Sequence, residues 1–338
     1  MNPTTQHGPS PCCSPQSQPK LQTGCPTPAR PHRASVGSDA SCADSSRPTT
    51  SLPGGTFLMG TDYAEAFPLD GEGPIRPVTL SPFHIDTYPV TNRDFIAFVE
   101  ATAYQTEAEQ FGWSFVFWMQ LPPDRLDELV EDTVAAAPWW CKVPGSSWKH
   151  PEGPSSDIDT RLNHPVVHVS WNDAAAYAAW AEKSLPTEAQ WEYAARGGLE
   201  QKLYPWGDEL TPDELTPDGR PTGRKKHLCN IWQGEFPRIN TAEDGYAFTN
   251  PVDVFPPNAY GLYSITGNVW EWCADWFTNT VTAAPQTDPT GPAQGEAKVM
   301  KGGSFLCHAS YCNRYRVAAR TANTPDSSAS NIGFRCVR

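Results

Sequence analysis

Two cysteines near the end of the chain carry the clearest chemical possibility. They stand in the run Lys301-Gly302-Gly303-Ser304-Phe305-Leu306-Cys307-His308-Ala309-Ser310-Tyr311-Cys312-Asn313-Arg314-Tyr315-Arg316. An α-helix turns about 100° per residue, so positions five apart point about 140° away from each other and a regular helix cannot turn both sulfurs to one ligand. The backbone must bend between them. Gly302-Gly303 permits positive φ or close approach, and His308, Arg314 and Arg316 add donors and positive charge that favour thiolate over thiol. Spacing alone leaves a disulfide, or two unrelated buried cysteines, open beside a functional pair. Structural zinc wants four ligands, and no second close Cys or His pair occurs in the part that reads as folded. Two thiolates suit a soft ion of low coordination number, Cu(I).

Hard cations are the other candidates. Asn230-Ile-Trp-Gln and Glu243-Asp-Gly-Tyr offer side-chain and backbone oxygens in loops, the donor type calcium takes, although the pattern is not an EF-hand. His168 lies in an apolar run and reads as a structural histidine.

The elements that must position these groups are short. Among 338 residues are 35 Pro, 25 Gly and 13 Trp, a composition that favours ordered loops and aromatic packing over long helices. A formal net charge of -13 argues against nucleic-acid and anionic-membrane partners. No apolar run is long enough for a transmembrane helix, and the N-terminus lacks the apolar core of a secretory signal. The ten cysteines are scattered, four of them (Cys12, Cys13, Cys25, Cys42) in the first 51 residues. These features read as a soluble, cytoplasmic monomer in a reducing compartment.

Residues 1–51 hold no aromatic residue and are crowded with Pro, Ser, Thr and Gly, which predicts a disordered tail whose Cys12-Cys13 thiols have no role. A single domain is expected from Leu52 to Arg338. Strands are predicted from Gly55, over Pro82–Pro89, over Pro165–Val169, in the Trp270–Trp276 run and from Ile332. Helices are predicted behind three caps: Thr91 with Asp94, Ser170 with Asp173, and Thr187 with Gln190, the last stopped at Gly197-Gly198. The aromatics of 106–148 read as packing around an acidic helical stretch at 123–131, and DELTPDELTPD from Asp208 as a surface loop.

The run Gly302–Arg338, GGSFLCHASYCNRYRVAARTANTPDSSASNIGFRCVR, resembles the C-terminal signature of the formylglycine-generating enzymes, or sulfatase-modifying factors. Further matching segments are PGGTFLMG from Pro53, NHPVVHVSWNDAAAYAAWA from Asn163, LPTEAQWEYAARGG from Leu185, NIWQGEFP from Asn230 and GNVWEWCADWF from Gly267. The resemblance implies a C-type-lectin-like α+β fold with little regular structure. It implies oxidation of the cysteine in a Cys-x-Pro-x-Arg motif of an unfolded sulfatase to Cα-formylglycine, with O2 and a thiol reductant. On that reading Cys307 and Cys312 are the catalytic ligands of Cu(I), Ser304 is a catalytic candidate that with His308 would orient the ligands or the oxygen pocket, and Trp270 is a candidate wall of the site. Asn230, the Ile231 carbonyl, Asp244 and the Tyr246 carbonyl match one calcium site. Ser264, Gly267, Val269 and Glu271 match a second, with Ser264 where relatives often have Asn. Relatives with structural disulfides carry cysteines where this chain has Ala195 and Val317. The alternative is a non-catalytic lectin-like module that binds sulfatases or other peptides.

Overall fold

Three local capping signals become the three longest helices, Asn92–Thr102, Trp171–Trp180 and Glu188–Arg196. Each opens on a reciprocal box: Thr91 N–H donates to Asp94 Oδ2 at 2.8 Å, Ser170 N–H to Asp173 Oδ2 at 2.9 Å, and Thr187 N–H to Gln190 Oε1 at 2.9 Å. These bonds satisfy donors that helix starts otherwise leave orphaned. The third helix stops where Gly197 takes a φ of 57°. Phe95 and Phe98 of the first helix bury against Tyr177 of the second, with Phe95 and Tyr177 stacked at 6.0 Å. The structure, a computed structural model, describes residues 15–16 and 47–338.

The central sheet has four strands in the order Arg320–Asn323, Lys298–Lys301, Trp270–Trp276, Ile332–Gly333. The first two pairings are antiparallel, and Trp270 pairs in parallel register with Ile332. The Glu188–Arg196 helix packs on this sheet through buried charges as well as apolar contacts. Lys301 Nζ donates to Glu192 Oε2 at 3.0 Å, Arg320 Nη2 to Glu188 Oε2 at 2.8 Å, and Trp191 Nε1 to Glu271 Oε2 at 2.7 Å. Arg335 grips Glu271 with Nε at 2.7 Å and Nη2 at 2.8 Å, both residues fully buried. Smaller sheets surround this centre: Gln286–Thr287 with Arg76–Leu80 and Gly55–Met59, and Trp113–Phe117 with Ala137–Pro144 and Asp132–Val134. The aromatics of 113–140 are thereby packed in a sheet, around a short helix at Leu126–Leu129.

Three expectations need correction. Pro165–Val169 is not a strand: His168 takes a φ of 57°, which breaks the extended run, and a single bridge joins Pro165 to Thr91. The expected surface loop after Asp208 instead folds into an exposed hairpin, Asp213–Leu215 with Pro221–Lys225. The domain also starts before Leu52, because Thr49–Leu52 pairs with Phe83–Asp86 and Arg47 donates to the Tyr88 and Pro89 carbonyls. The predicted tail otherwise lies outside the described residues, apart from Pro15-Gln16. Among the described residues no helix is long and apolar enough to cross a membrane.

The Arg335–Glu271 pair gives a stability prediction. Arg335→Met strands a carboxylate in the core and should lower unfolding free energy by about 3–5 kcal/mol, read from urea denaturation. Lys225→Met, which breaks only the exposed pair with Asp213, should leave the midpoint unchanged.

Candidate functional site

Strand Lys298–Lys301 ends in Gly302 and Gly303, with φ of 94° and 72°, and the chain then enters the loop that carries both cysteines. A Cβ on Gly303 would lie 3.0 Å from Tyr315 Cα, so the glycine lets the returning chain pack against the departing one. The backbone bends as the spacing required, and Cys307 Sγ lies 3.3 Å from Cys312 Sγ. A disulfide is near 2.05 Å, so these are two thiols in contact. Both are buried, 2% exposed.

Cys307 is fixed from two sides. The Ser304 N–H donates to its sulfur at 3.4 Å, and its own carbonyl accepts from Trp232 N–H at 3.1 Å. The Ser304 hydroxyl in turn accepts from Leu306 N–H at 3.3 Å and from Asn331 Nδ2 at 3.1 Å. Trp270 is fully buried, and its N–H donates to the Asn331 carbonyl at 2.8 Å, which brings it to the same cluster. Half-buried rings enclose the loop: Tyr311 stacks on Phe236 at 4.7 Å and meets Trp139 edge-on at 5.2 Å.

The electrostatics correct one expectation. Burial pushes the Cys307 thiol well above its ordinary value, and the neighbouring Cys312 pushes it further. The Ser304 N–H and the Arg314 guanidinium oppose this but are outweighed. Arg314 Nη1 is 3.8 Å from Cys312 Sγ, yet its Nε is bound to Asp70 Oδ2 at 2.5 Å. Arg316 is held bidentate by Glu72 at 2.6 and 2.7 Å. His308 turns to the exposed Ser310 hydroxyl at 2.8 Å, and burial lowers its pKa, so it brings no positive charge to the sulfurs. Burial therefore favours thiol over thiolate at Cys307.

Part of the first set of expected calcium ligands comes together around Asp244. Asp244 Oδ2 accepts from Ile231 N–H at 3.1 Å and Asp244 Oδ1 from Tyr246 N–H at 2.9 Å. Asn230 is buried, spends its Nδ2 on the Phe248 carbonyl and Asn250, and leaves Oδ1 without a hydrogen-bond partner. Gln233 Nε2 contacts both the Ile231 carbonyl and Asp244 Oδ2, a donor among acceptors where a cation would serve. Burial raises the Asp244 pKa, as expected of a carboxylate lacking a counter-charge. This oxygen set fits a hard cation.

In the second set the side-chain oxygens already have protein partners. Both Glu271 oxygens are taken by Arg335 and Trp191, and Arg335 Nη2 also reaches the Ser264 carbonyl at 3.3 Å. The Ser264 hydroxyl donates to the Val252 carbonyl at 2.9 Å, and Gly267 serves backbone packing, its N–H donating to the Gly302 carbonyl at 2.9 Å. Val269 is buried apolar core. The positive charge at this point is the guanidinium of Arg335.

His168 is structural, as expected: it is fully buried, bonded through Nδ1 to Ser114 Oγ at 2.8 Å, with its pKa lowered by burial to about 3. Sequence reasoning missed Asn331, Trp232, Phe236, Tyr311 and the acidic pair Asp70 and Glu72. A signal for the last existed, since LDGEG places two carboxylates beside glycines, but nothing local shows that arginines far along the chain meet them.

A loop-rich α+β scaffold around a buried thiol pair is the arrangement of a sulfatase-modifying domain. A family profile described as "Sulfatase-modifying factor enzyme 1-like domain" matches residues 37–338, and the chain belongs to that family. Among its relatives, the formylglycine-generating enzyme of Thermomonospora curvata is 61% identical over 289 residues, covering 84% of this chain and 91% of the relative. That of Streptomyces coelicolor is 57% identical over 293 residues, covering 86% and 89%. A Mus musculus protein named inactive C-alpha-formylglycine-generating enzyme 2 is 47% identical over 288 residues, covering 84% and 83%. Among solved structures, PvdO from Pseudomonas aeruginosa aligns with a TM-score of 0.59 at 27% identity, over 86% of this chain and 93% of that one. The C-type-lectin-like α+β fold expected from the sequence is the fold the chain has.

The raised Cys307 thiol predicts slow chemistry at neutral pH. Iodoacetamide should alkylate Cys307 of the native chain slowly at pH 7 and faster as pH rises past 9, because only the thiolate reacts. Arg314→Met, which removes an opposing charge, should slow it further at any fixed pH, read by peptide mass mapping.

Proposed function

We propose that this protein converts the cysteine of a Cys-x-Pro-x-Arg segment in an unfolded sulfatase to Cα-formylglycine. A relative named inactive stands at 47% identity, so membership of the family leaves activity open. The observation that carries the reading is the contact between two buried thiols at 3.3 Å in a loop surrounded by hydrogen-bond donors and aromatic rings. In the overall reaction the substrate thiol with its methylene carbon and O2 take two electrons and two protons from two reductant thiols. The products are the aldehyde, hydrogen sulfide, water and a reductant disulfide.

Cys307 and Cys312 are the residues that would hold Cu(I). Their sulfurs are the soft donors this ion selects. Among the described residues no cluster of three or more His, Cys, Asp or Glu suits a metal, so this chain would supply the two cysteine sulfurs. When bound, Cu(I) supplies a soft centre for the substrate sulfur and for reaction with dioxygen. Loading requires both thiols to release their protons, which makes occupancy pH-dependent. The Ser304 N–H then stabilises charge on Cys307, Asn331 holds the Ser304 hydroxyl in place, and Arg314 offers its charge to Cys312. Trp139, Phe236 and Tyr311 limit water at the loop. We further infer calcium at Asn230, Ile231, Asp244 and Tyr246, where the unpaired Asn230 Oδ1 supports it. We read the protein as cytoplasmic, supported by the scatter of buried single thiols such as Cys141, Cys229 and Cys273, and as a monomer.

Two experiments test this. Incubated aerobically with Cu(I), a thiol reductant and a Cys-x-Pro-x-Arg peptide, the wild-type protein should form a hydrazine-reactive aldehyde. Cys307→Ser and Cys312→Ser should each lose at least about a thousandfold in rate, the scale of removing a catalytic group, with unchanged circular dichroism. Peptide binding without any conversion by the wild type would instead favour the lectin-like binding module. For calcium, a chelator should lower the melting temperature of the wild type and leave that of Asp244→Ala unmoved. Equal shifts in both would remove calcium from this loop.

A further inference from the structure

Six arginines are buried among the described residues, and five of them hold a carboxylate: Arg196, Arg314, Arg316, Arg320 and Arg335 each reach a Glu or Asp oxygen at 2.5–2.7 Å. Arg76 does not. It is 7% exposed, its Nη1 reaches the Pro74 carbonyl only at 3.4 Å, its Nη2 meets Met59 Sδ at 3.3 Å, and its Nε has no partner. A guanidinium withdrawn from water keeps its charge, and a carbonyl and a thioether do not neutralise it. The proposed thiol chemistry makes no use of this residue.

Strand Arg76–Leu80 sets this side chain in the wall of a cleft of about 300 Å³. Antiparallel pairing brings Met59 beside it, and the pairing of Gln286 and Thr287 with Val78 and Thr79 draws the 276–292 segment across as the other wall. Helix Glu188–Arg196 begins here, with Glu188 and Ala189 in the lining, so the wall includes the positive end of a helix dipole. The two carboxyl groups of the lining are already engaged: Glu188 accepts from Arg320 at 2.8 Å, and Asp275 Oδ2 accepts the Glu188 N–H at 2.8 Å. Burial, and then the Glu188 charge, push the Asp275 carboxyl up to about 7. At the exposed rim, the Thr280 and Thr290 hydroxyls donate to no protein atom among the described residues.

We propose that this cleft binds a small monocarboxylate, its carboxylate paired with the Arg76 guanidinium and its short hydrocarbon body lying against Met59, Val281 and Pro289. The inference is independent of the thiol pair and its reaction. A planar carboxylate meets the guanidinium fork with two parallel charge-assisted hydrogen bonds, which supplies what the Pro74 carbonyl and the Met59 sulfur do not. Phosphate also matches the fork, but its second charge meets the Glu188 and Asp275 carboxyl groups in the same lining, whereas a monoanion balances Arg76 alone. The rim hydroxyls and the helix start add donors and positive potential on the same side of the balance.

The test uses the full chain and butyrate as the probe, at constant ionic strength set with sodium chloride. Ligand-observed NMR should show saturable binding of butyrate to the wild type, and butyrate should raise its melting temperature by mass action. Arg76→Met, which keeps the length of the side chain and removes the charge, should weaken binding at least about tenfold, the scale of losing a hydrogen bond to a charged group. Thr290→Trp, a change at the exposed rim that fills the cleft and leaves the core alone, should weaken it as well, so the result does not depend on how well the Arg76 variant folds. Inorganic phosphate at equal concentration should leave butyrate bound. No saturable binding to the wild type, equal binding by all three chains, or displacement by phosphate would overturn the proposal. Tighter binding of a capped Gly-Glu-Gly peptide than of butyrate would give the cleft to a polypeptide side chain and overturn the assignment to a free acid.

Discussion

Buried ion pairs between helix Glu188–Arg196, the central sheet and the last residues of the chain are the constraint on which the molecule depends. Regular secondary structure is sparse, so long ladders of backbone bonds do not set its register. Glu188 with Arg320, Glu192 with Lys301 and Arg196, and Glu271 with Arg335 do this instead. Removing a charge from water costs several kcal/mol, and it is tolerated only where geometry supplies a full set of partners. Arg335 meets that demand by also donating to the Asp86 carbonyl at 3.2 Å and the Tyr263 carbonyl at 2.9 Å. One side chain thus ties the C-terminus to three distant parts of the sequence.

The same device reaches the site. Arg314 with Asp70, and Arg316 with Glu72, pin the early loop that follows Phe67 against the cysteine segment, and the Arg314 guanidinium also lies 3.7 Å over the Phe67 ring. The arginines that read in the sequence as activators of the thiols are thus largely neutralised by carboxylates. With that charge neutralised, burial favours the neutral thiol at Cys307.

What was legible in the sequence was local. Capping boxes at Thr91, Ser170 and Thr187 are three-residue signals, and each marks a helix where it falls. The bend at Gly302-Gly303 and the convergence of Cys307 on Cys312 follow from short-range geometry. Asn230, Ile231 and Asp244 also come together, because the two loops lie close in sequence. The failures are long-range or backbone-specific. Nothing around Glu271 announces a guanidinium 64 residues away, so its ion pair with Arg335 was not foreseen. His168 sits in an apolar run that reads as extended, but its left-handed backbone is set by tertiary packing. The ring wall of Phe236, Tyr311 and Trp139 joins three loops whose aromatics, taken singly, say nothing about one another.

The two sulfurs also differ in mechanical footing. Cys307 is tied outward, through its carbonyl, to Trp232 on another loop, whereas the Cys312 amide folds back on the His308 carbonyl at 2.7 Å within its own turn. The arrangement is that of a clamp with a bolted jaw and a sprung one. The short His308–Cys312 turn, and Tyr311 stacked on Phe236, hold none of the buried ion pairs that lock the central sheet. A scaffold locked by buried charge thus carries one of its two sulfurs on a turn that takes no part in the lock.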